Sequence, residues 1–225
     1  MERDIKNIYK RCFAYNSNVA SSYDSDRELE EHWVIENKFI EQKLYNKNLN
    51  KILDIPVGTG RFLKFYNEVK EVIGVDISDS MLDEAYKKIK KDKLENIKLV
   101  KGDAFNLKFH DNHFDYAVCF RLLHLVPQNQ RLKILLELKR VSKNIILQVY
   151  LNKKNSIFSR VYNKIRRVFS RKQDDVLKPW SHIKSYSLSR KELLELFEFS
   201  NLNIISSVHL CDYLSTEIYI FELQK

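Results

Sequence analysis

The stretch from Lys51 to Leu63 constrains the fold of this 225-residue chain more than any other. Residues 51–55 form a short apolar run of the kind that a buried parallel strand requires. Two of the chain's four glycines, Gly58 and Gly60, follow this run, and a helical pattern over 60–69 comes next. Glycine permits close approach of the backbone to a ligand, so the turn predicts a ligand-binding loop. An ordinary tight strand-to-helix connection is the alternative.

Composition limits the class of protein. Hydrophobic residues make up 44% of the chain, enough for one sizeable core, and no apolar run is long enough to cross a bilayer. The three cysteines, Cys12, Cys119 and Cys211, lie far apart, which disfavours a disulfide framework or a zinc site and predicts a cytoplasmic protein. The net charge of +9 reflects lysines spread throughout the chain, so only a local basic cluster indicates an anionic partner.

Strand and helix patterns alternate from residue 51 to residue 150, as in a parallel α/β sheet. The predicted strands cover 51–55, 72–75, 97–101, 114–120 and 144–150, and the helices between them cover 60–69, 79–91 and 128–141. A helix over 189–199, with Ser189 as N-cap, and two strands over 203–210 and 216–223 close the chain. Residues 1–47 carry helical patterns and are predicted to form an N-terminal cap on a domain that extends over 48–225.

Three successive strands are each predicted to end near a carboxylate, namely Asp54, Asp76 and Asp103. Ligands of open parallel sheets bind beyond the carboxyl ends of the strands, so these groups predict one shared site. An acid at the tip of the second strand can accept both hydroxyls of a ribose, as in dinucleotide-binding folds.

A dinucleotide is nevertheless disfavoured. That fingerprint has a third small residue where this chain has Leu63, and it places a phosphate on the loop. Asp54 lies just before the loop, where it would repel a phosphate but suit an ammonium group.

Four motifs then occur in order: Leu-Asp-Ile-Pro-Val-Gly-Thr-Gly-Arg at 53–61, Gly-Val-Asp-Ile-Ser-Asp-Ser-Met-Leu at 74–82, Gly-Asp-Ala at 102–104, and Phe-Asp-Tyr-Ala-Val leading to Leu-His-Leu-Val-Pro within 114–127. Together they resemble the class I S-adenosylmethionine-dependent methyltransferases, over roughly residues 18–150. The resemblance implies a Rossmann-like, seven-stranded, mostly parallel sheet with an antiparallel last strand and helices on both faces.

The resemblance also implies S-adenosyl-L-methionine as the cofactor. The glycine loop would contact the methionine part, Asp54 its amino group, Asp76 the ribose and Asp103 the adenine. Pro56 stands where a glycine is more usual. The implied cofactor-binding residues are Tyr23, Asp54, Pro56, Gly58, Thr59, Gly60, Arg61, Asp76, Ile77, Met81, Asp103, Ala104, Phe120 and Arg121.

His124 is the candidate catalytic base, because it lies four residues past the fourth strand and an imidazole could take a proton from a hydroxyl acceptor. A histidine with a purely structural hydrogen bond is the alternative. Leu125 occupies the position where many members of the family have a second histidine. No clustered metal ligands are present, so no metal is predicted.

An insertion at 151–188 contains a basic amphipathic helix pattern over 153–172. Its apolar face could cover the site as a lid. Alternatively, the helix could contact an anionic membrane, which would place the protein at the inner membrane face.

The predicted function is O-methylation of a small molecule or a glycan. Methylation of RNA or protein through the basic insertion is the alternative, although the chain lacks the Asn/Asp-Pro-Pro-aromatic motif used to methylate base amino groups. A cofactor-binding module without turnover is a third possibility.

Overall fold

The computed structural model of the protein describes residues 15–45, 47–153, 186, 188–213 and 216–225. Its helices are α1 (Ser17–Ser22), α2 (Glu31–Leu44), α3 (Asp79–Asp92), α4 (Gln128–Val141) and α5 (Arg190–Ser200). Its strands are β1 (Lys51–Asp54), β2 (Glu71–Asp76), β3 (Ile97–Lys101), β4 (Phe114–Cys119), β5 (Ser142–Asn152), β6 (Asn203–Tyr213) and β7 (Thr216–Gln224). None of the described helices is long and apolar enough to span a membrane.

The described strands form one seven-stranded sheet in the order β3-β2-β1-β4-β5-β7-β6. β1 pairs in parallel with both β2 and β4. The chain therefore adds β2 and β3 on one side of β1 and the later strands on the other side. β7 pairs antiparallel with β5 and with β6. The predicted fold class is therefore confirmed.

Apolar side chains alternate between the two faces of the sheet, and each face has its own helices. On one face Leu53 and Ile73 pack in the cluster that contains α4 and α5 residues such as Leu138. On the other face Ile52 packs in the cluster that contains residues of α2 and α3, such as Ile40. Because both faces are covered, the middle residues of the central strands, such as 52–53 and 72–75, are apolar on both faces.

The predicted helix over 60–69 is wrong. This segment is a series of tight turns with a single 3₁₀ turn at Leu63–Phe65. Backbone bonds there join residues three apart, such as Tyr66 N to Leu63 O (3.1 Å) and Val69 N to Tyr66 O (3.1 Å). The side-chain amide of Asn96 donates to the carbonyls of Tyr66 (2.8 Å) and Val69 (2.7 Å), so a distant residue satisfies carbonyls at the end of this segment.

The first turn of helix α5 follows the prediction, since Ser189 Oγ accepts from the backbone N–H of Glu192 at 3.1 Å. Helices α1 and α2 lie within the N-terminal region that carries helical patterns. Most of the basic helix pattern at 153–172 and most of the insertion at 151–188 lie outside the described residues, as does Cys12.

Candidate functional site

A cleft opens beyond the carboxyl ends of β1, β2, β3 and β4. It encloses about 1160 Å³ of empty space, counted out to its open mouth. The residues that line it on the sheet side are Ile55, Pro56, Val57, Gly58, Thr59, Arg61, Phe62, Val75, Asp76, Ile77, Met81, Gly102, Asp103, Ala104, Phe105, Phe120, Arg121, Leu122, Leu125, Val126 and Ile134. Tyr15, Tyr23 and Trp33 line it from the N-terminal segment.

Asp76 joins the tips of the first two strands. Its Oδ2 accepts from the backbone N–H of Gly58 (2.9 Å), and its Oδ1 accepts from the backbone N–H of Ser78 (2.9 Å). Burial raises the pKa of Asp76 above its ordinary value, while these backbone donors oppose the rise. Each carboxylate oxygen has a second lone-pair site, so Asp76 can accept further hydrogen bonds from a ligand in the cleft.

The two glycines of the loop have different roles. Both have positive φ, +55° at Gly58 and +77° at Gly60. A Cβ at Gly58 would meet nothing within 4 Å, whereas a Cβ at Gly60 would lie 2.7 Å from Leu63 Cδ1 and 3.1 Å from Ala85 Cβ. Gly58 lines the cleft and Gly60 does not. The first glycine thus leaves room beside a ligand, and the second permits tight packing behind the loop.

Asp54 lies behind the loop and is not among the residues that line the cleft. It is 2% exposed, and its Oδ2 accepts from the hydroxyl of Tyr66 at 3.0 Å. Burial raises the pKa of Asp54 to about 7, although the Tyr66 bond and the charge of Arg61 oppose the rise. Its carboxyl group therefore changes ionisation near neutral pH.

The far end of the cleft is mainly apolar. Ala104, Phe105 and Leu122 border it together with Ile134 from α4. Asp103 lies at its rim, where its Oδ1 accepts from the backbone N–H of Phe105 at 2.9 Å. A flat heterocycle fits a site with apolar walls and one carboxylate acceptor at its edge.

A buried ion pair network forms the opposite end. Glu36 of α2 is fully buried, and its Oε2 accepts from Arg61 Nη2 (2.6 Å) and Arg121 Nη2 (3.1 Å). Burial opposes ionisation of Glu36, but Arg121 and Arg61 outweigh it and hold the pKa of its carboxyl below the ordinary value. The side-chain amide of Gln148 also donates to Glu36.

Aromatic rings from the N-terminal segment close the cleft over this network. The ring of Trp33 stacks beneath both guanidinium groups, with Arg61 Cζ 4.1 Å and Arg121 Cζ 5.0 Å from the ring centroid. Tyr23 packs against Trp33 on one side and against Tyr15 on the other, with centroids 6.2 and 6.1 Å apart. These rings give the cleft an aromatic wall in which neighbouring rings are tilted by 60° and 65° to one another.

His124 does not line the cleft. Its ring packs against the ring of Tyr150 at 4.6 Å, and its carbonyl accepts from Tyr186 N at 2.6 Å. Burial, with the charges of Arg121, Arg27 and Arg131, lowers the pKa of His124 to about 3. A base of that strength and placement is poorly suited to take a proton from an acceptor, so its catalytic role stays a prediction that this geometry disfavours.

The cleft brings together twelve of the fourteen residues predicted to bind the cofactor; Asp54 and Gly60 lie behind its surface. Sequence reasoning did not assign Tyr15, Trp33 or Glu36 to the site. The spacing of Trp33 and Glu36 places both on one face of α2. The signal that the sequence offered for Glu36 was a glutamate at the helical spacing of the apolar residues on that face.

The fold and the cleft define a class. A glycine loop after β1, an acid at the tip of β2 and the strand order with an antiparallel β7 are the features of a class I S-adenosylmethionine-dependent methyltransferase fold, as the sequence motifs predicted.

Comparisons with known proteins agree with this class. Residues 52–144 match the family model described as a methyltransferase domain. A demethylmenaquinone methyltransferase of Staphylococcus saprophyticus is 37% identical over 135 residues, which cover 56% of this chain and 55% of that protein. A demethylmenaquinone methyltransferase of Staphylococcus aureus is 35% identical over 133 residues, 56% of this chain and 53% of its own length. The chain thus spans about half the length of the curated relatives it matches.

Solved structures show the same fold. A magnesium protoporphyrin IX methyltransferase from Synechocystis with bound SAH superposes with a TM-score of 0.65 at 16% identity, covering 85% of this chain and 84% of that one. A S-adenosylmethionine-dependent methyltransferase from Clostridium acetobutylicum superposes with a TM-score of 0.65 at 18% identity, covering 92% and 97%. The described residues therefore have the class I methyltransferase fold.

Proposed function

We propose that the chain is an S-adenosylmethionine-dependent methyltransferase whose acceptor is a small, planar, hydroxylated ring compound. The observation that carries the proposal is the carboxylate of Asp76, which is held at the tip of β2 by Gly58 N–H and Ser78 N–H and retains acceptor capacity toward the cleft. A ribose with two adjacent hydroxyls matches this acceptor.

The rest of the cleft fits the other parts of the cofactor. Asp103 and the apolar far end suit the adenine, whose amino group can donate to a carboxylate while its ring packs on Ala104. The open space beside Gly58 accommodates the methionine part.

The acceptor side of the cleft favours a flat apolar molecule. Tyr15, Tyr23 and Trp33 form an aromatic wall, and Phe62 and Phe120 pack edge to face opposite the loop with centroids 4.9 Å apart. Two relatives that are 37% and 35% identical to this chain, over 55% and 53% of their own lengths, are named demethylmenaquinone methyltransferases. A quinol-like acceptor is consistent with such a wall.

When bound, the cofactor supplies a methyl group activated by its sulfonium. The residues of this chain would align the two reactants, since in-line displacement gains most of its rate from orientation. The aromatic wall would also exclude water, and the buried arginines would set the charge around the acceptor oxygen.

Calorimetry with S-adenosylhomocysteine tests the cofactor assignment. Asp76→Asn should weaken binding about tenfold to a hundredfold, because it removes at least one hydrogen bond to a charged group. Asp79→Asn is the matched control, since Asp79 lies three residues later, at the start of α3, and pairs with Lys101 at the surface. Equal affinities of the wild type and Asp76→Asn would remove Asp76 from the ribose site.

A methyl-transfer assay tests turnover. Methyl-labelled cofactor is offered with reduced naphthoquinones, simple phenols, glycans and RNA as separate acceptors. We expect labelled product from the naphthohydroquinones and phenols. Transfer to glycans or RNA alone would refute the acceptor class, and cofactor binding without transfer to any member of the panel would favour a module without turnover.

A further inference from the structure

The end of the cleft formed by Glu36 and the two arginines is called here the acceptor end. Its positive and negative charges do not balance. Arg61 and Arg121, called here the arginine pair, share the single carboxylate of Glu36. Their side chains are only 9% and 10% exposed, and both border the cleft. Asp54 also interacts with Arg61, but burial raises its pKa to about 7, so its carboxyl is only partly ionised near neutrality. Within the group formed by Glu36 and the arginine pair, two positive charges face one negative charge in a buried place.

The hydrogen bonds of the arginine pair are also incomplete. Arg61 Nη1 and Arg121 Nε and Nη1 are buried and have no hydrogen-bond partner within the described part of the chain. Buried donors are normally satisfied, and charged ones are the costliest to leave unpaired. Surplus donors together with surplus charge indicate a site built to receive an anion.

The surroundings indicate what kind of anion. Trp33 lies against both members of the pair, and Arg61 also lies over the ring of Phe62 at 4.1 Å. The backbone beneath Arg121 is fixed by a bond from its N–H to Gln148 Oε1 at 3.0 Å, with φ at +58°. Rigid cations on an aromatic platform fit the edge of a flat ring that bears an oxygen, more than they fit a flexible aliphatic chain.

We propose that the arginine pair binds the acceptor as an oxyanion, so that the acceptor hydroxyl is ionised before methyl transfer and no general base on the protein is needed. This inference rests on the proposed function. The hydroxyl proton passes to solvent when the acceptor binds. The acceptor oxygen then attacks the methyl carbon, and the carbon–sulfur bond breaks with its electron pair kept by sulfur, which gives a methyl ether and neutral S-adenosylhomocysteine.

The test uses 2-naphthol, whose ionised form absorbs at longer wavelength than the neutral form. It is titrated spectroscopically against the full chain saturated with S-adenosylhomocysteine, a complex that cannot transfer a methyl group. Bound naphthol should ionise at least about one pH unit below free naphthol, which corresponds to about tenfold preference for the anion. An unchanged ionisation midpoint, or no binding, overturns the inference.

Two variants should shift naphtholate affinity in opposite directions. Arg121→Gln should weaken it about tenfold, because one charged donor is lost. Glu36→Gln should strengthen it, because the competing carboxylate loses its charge while its shape is kept. The double variant Glu36→Gln/Arg121→Gln restores the original charge difference and controls for folding. A loss of affinity in both single variants would mean that the network is only structural.

The carboxylate of the cofactor is the other oxyanion that could use this site. Calorimetry with S-adenosylhomocysteine and with 5′-methylthioadenosine, which lacks the carboxylate, separates the two sources. The resemblance placed Arg121 among the cofactor-binding residues, so we expect Arg121→Gln to weaken naphtholate binding by a larger factor than it weakens the binding of either nucleoside. A selective loss of S-adenosylhomocysteine affinity assigns the pair to the cofactor and overturns the inference, while failure of either nucleoside to bind the wild type refutes the proposed function itself.

Discussion

Replacement of Asp54 by asparagine should make the protein more stable at pH 8 and leave its stability at pH 4 nearly unchanged. The wild-type carboxyl must ionise in a buried place, next to Tyr66 and behind the glycine loop. Burial raises its pKa from 3.8 to about 7 in the native state. Between these values the unfolded chain has lost the proton and the native chain has kept it, so native stability falls as the pH rises.

The size of the effect follows from the two pKa values. The fall is about 1.4 kcal/mol per pH unit between 3.8 and about 7, roughly 4 kcal/mol in all as an upper bound, and no further change occurs above that range. Asp54→Asn cannot ionise and can still accept from the Tyr66 hydroxyl, so it escapes this penalty. Urea unfolding of both proteins at pH 4, 5, 6, 7 and 8 should show a stability difference that grows in favour of the variant.

Asp115 provides a control of opposite sign. Burial opposes its ionisation, but Lys143 and the backbone N–H groups of Lys51 and Asn50 lower its pKa. Stability from a lowered pKa is present above the unfolded value, so Asp115→Asn should be less stable than wild type by a constant amount from pH 5 to pH 8. A constant difference for Asp54→Asn over the same range would refute the reasoning about Asp54.

Two further predictions concern packing around the cleft. Gly60→Ala should destabilise the protein by more than about 1 kcal/mol, whereas Gly58→Ala should have a smaller effect, because only at Gly60 does the new Cβ meet Leu63 and Ala85; urea midpoints that rank the other way would contradict this. Arg131→Met should cost about 3–5 kcal/mol, because Arg131 is 1% exposed and pairs with a carboxylate and three backbone carbonyls; a loss below 1 kcal/mol in the same assay would refute it.

Local patterns predicted most of the sheet. The helix at Gln128–Val141 and the strand at Ile97–Lys101 have the predicted bounds, and β5 exceeds its prediction by two residues at each end. In each of these elements, the spacing of the apolar residues matches the repeat of the helix or strand, so that these residues lie on its buried face. The turns after Gly60 differ because apolar residues there recur every third position, and because Asn96, more than twenty-five residues away, satisfies the carbonyls. No local pattern contains that contact.

The two ends of the cleft also differ in how far local sequence patterns predicted their residues. The groups on strand tips, such as Asp76 and Asp103, follow from parallel pairing, since all these tips meet at one edge. Trp33 reaches the cleft, and Glu36 reaches the arginines that border it, only because α2 docks on the sheet, where it contacts β6 and the turn after β1. Docking depends on shape and charge across the fold, so the sequence predicted a helical cap and Tyr23 within it, but not Trp33 or Glu36.

The N-terminal segment is bonded to the loops that hold the predicted cofactor-binding residues. Thr59 donates to Asp24 at 2.6 Å, and Lys88 of α3 pairs with the same carboxylate. Ser78, two residues after Asp76, donates to the carbonyl of Tyr15 at 2.7 Å.

Contacts that share a loop with a ligand are energetically coupled to its binding, because each orders backbone that the other requires. Asp24→Asn should therefore weaken S-adenosylhomocysteine binding although Asp24 does not line the cleft. It should also raise hydrogen exchange at residues 15–30 in the absence of ligand, and ligand should reverse part of that increase. If hydrogen exchange at residues 15–30 did not respond to S-adenosylhomocysteine, the aromatic wall and the loops with the predicted cofactor-binding residues would form independently of each other.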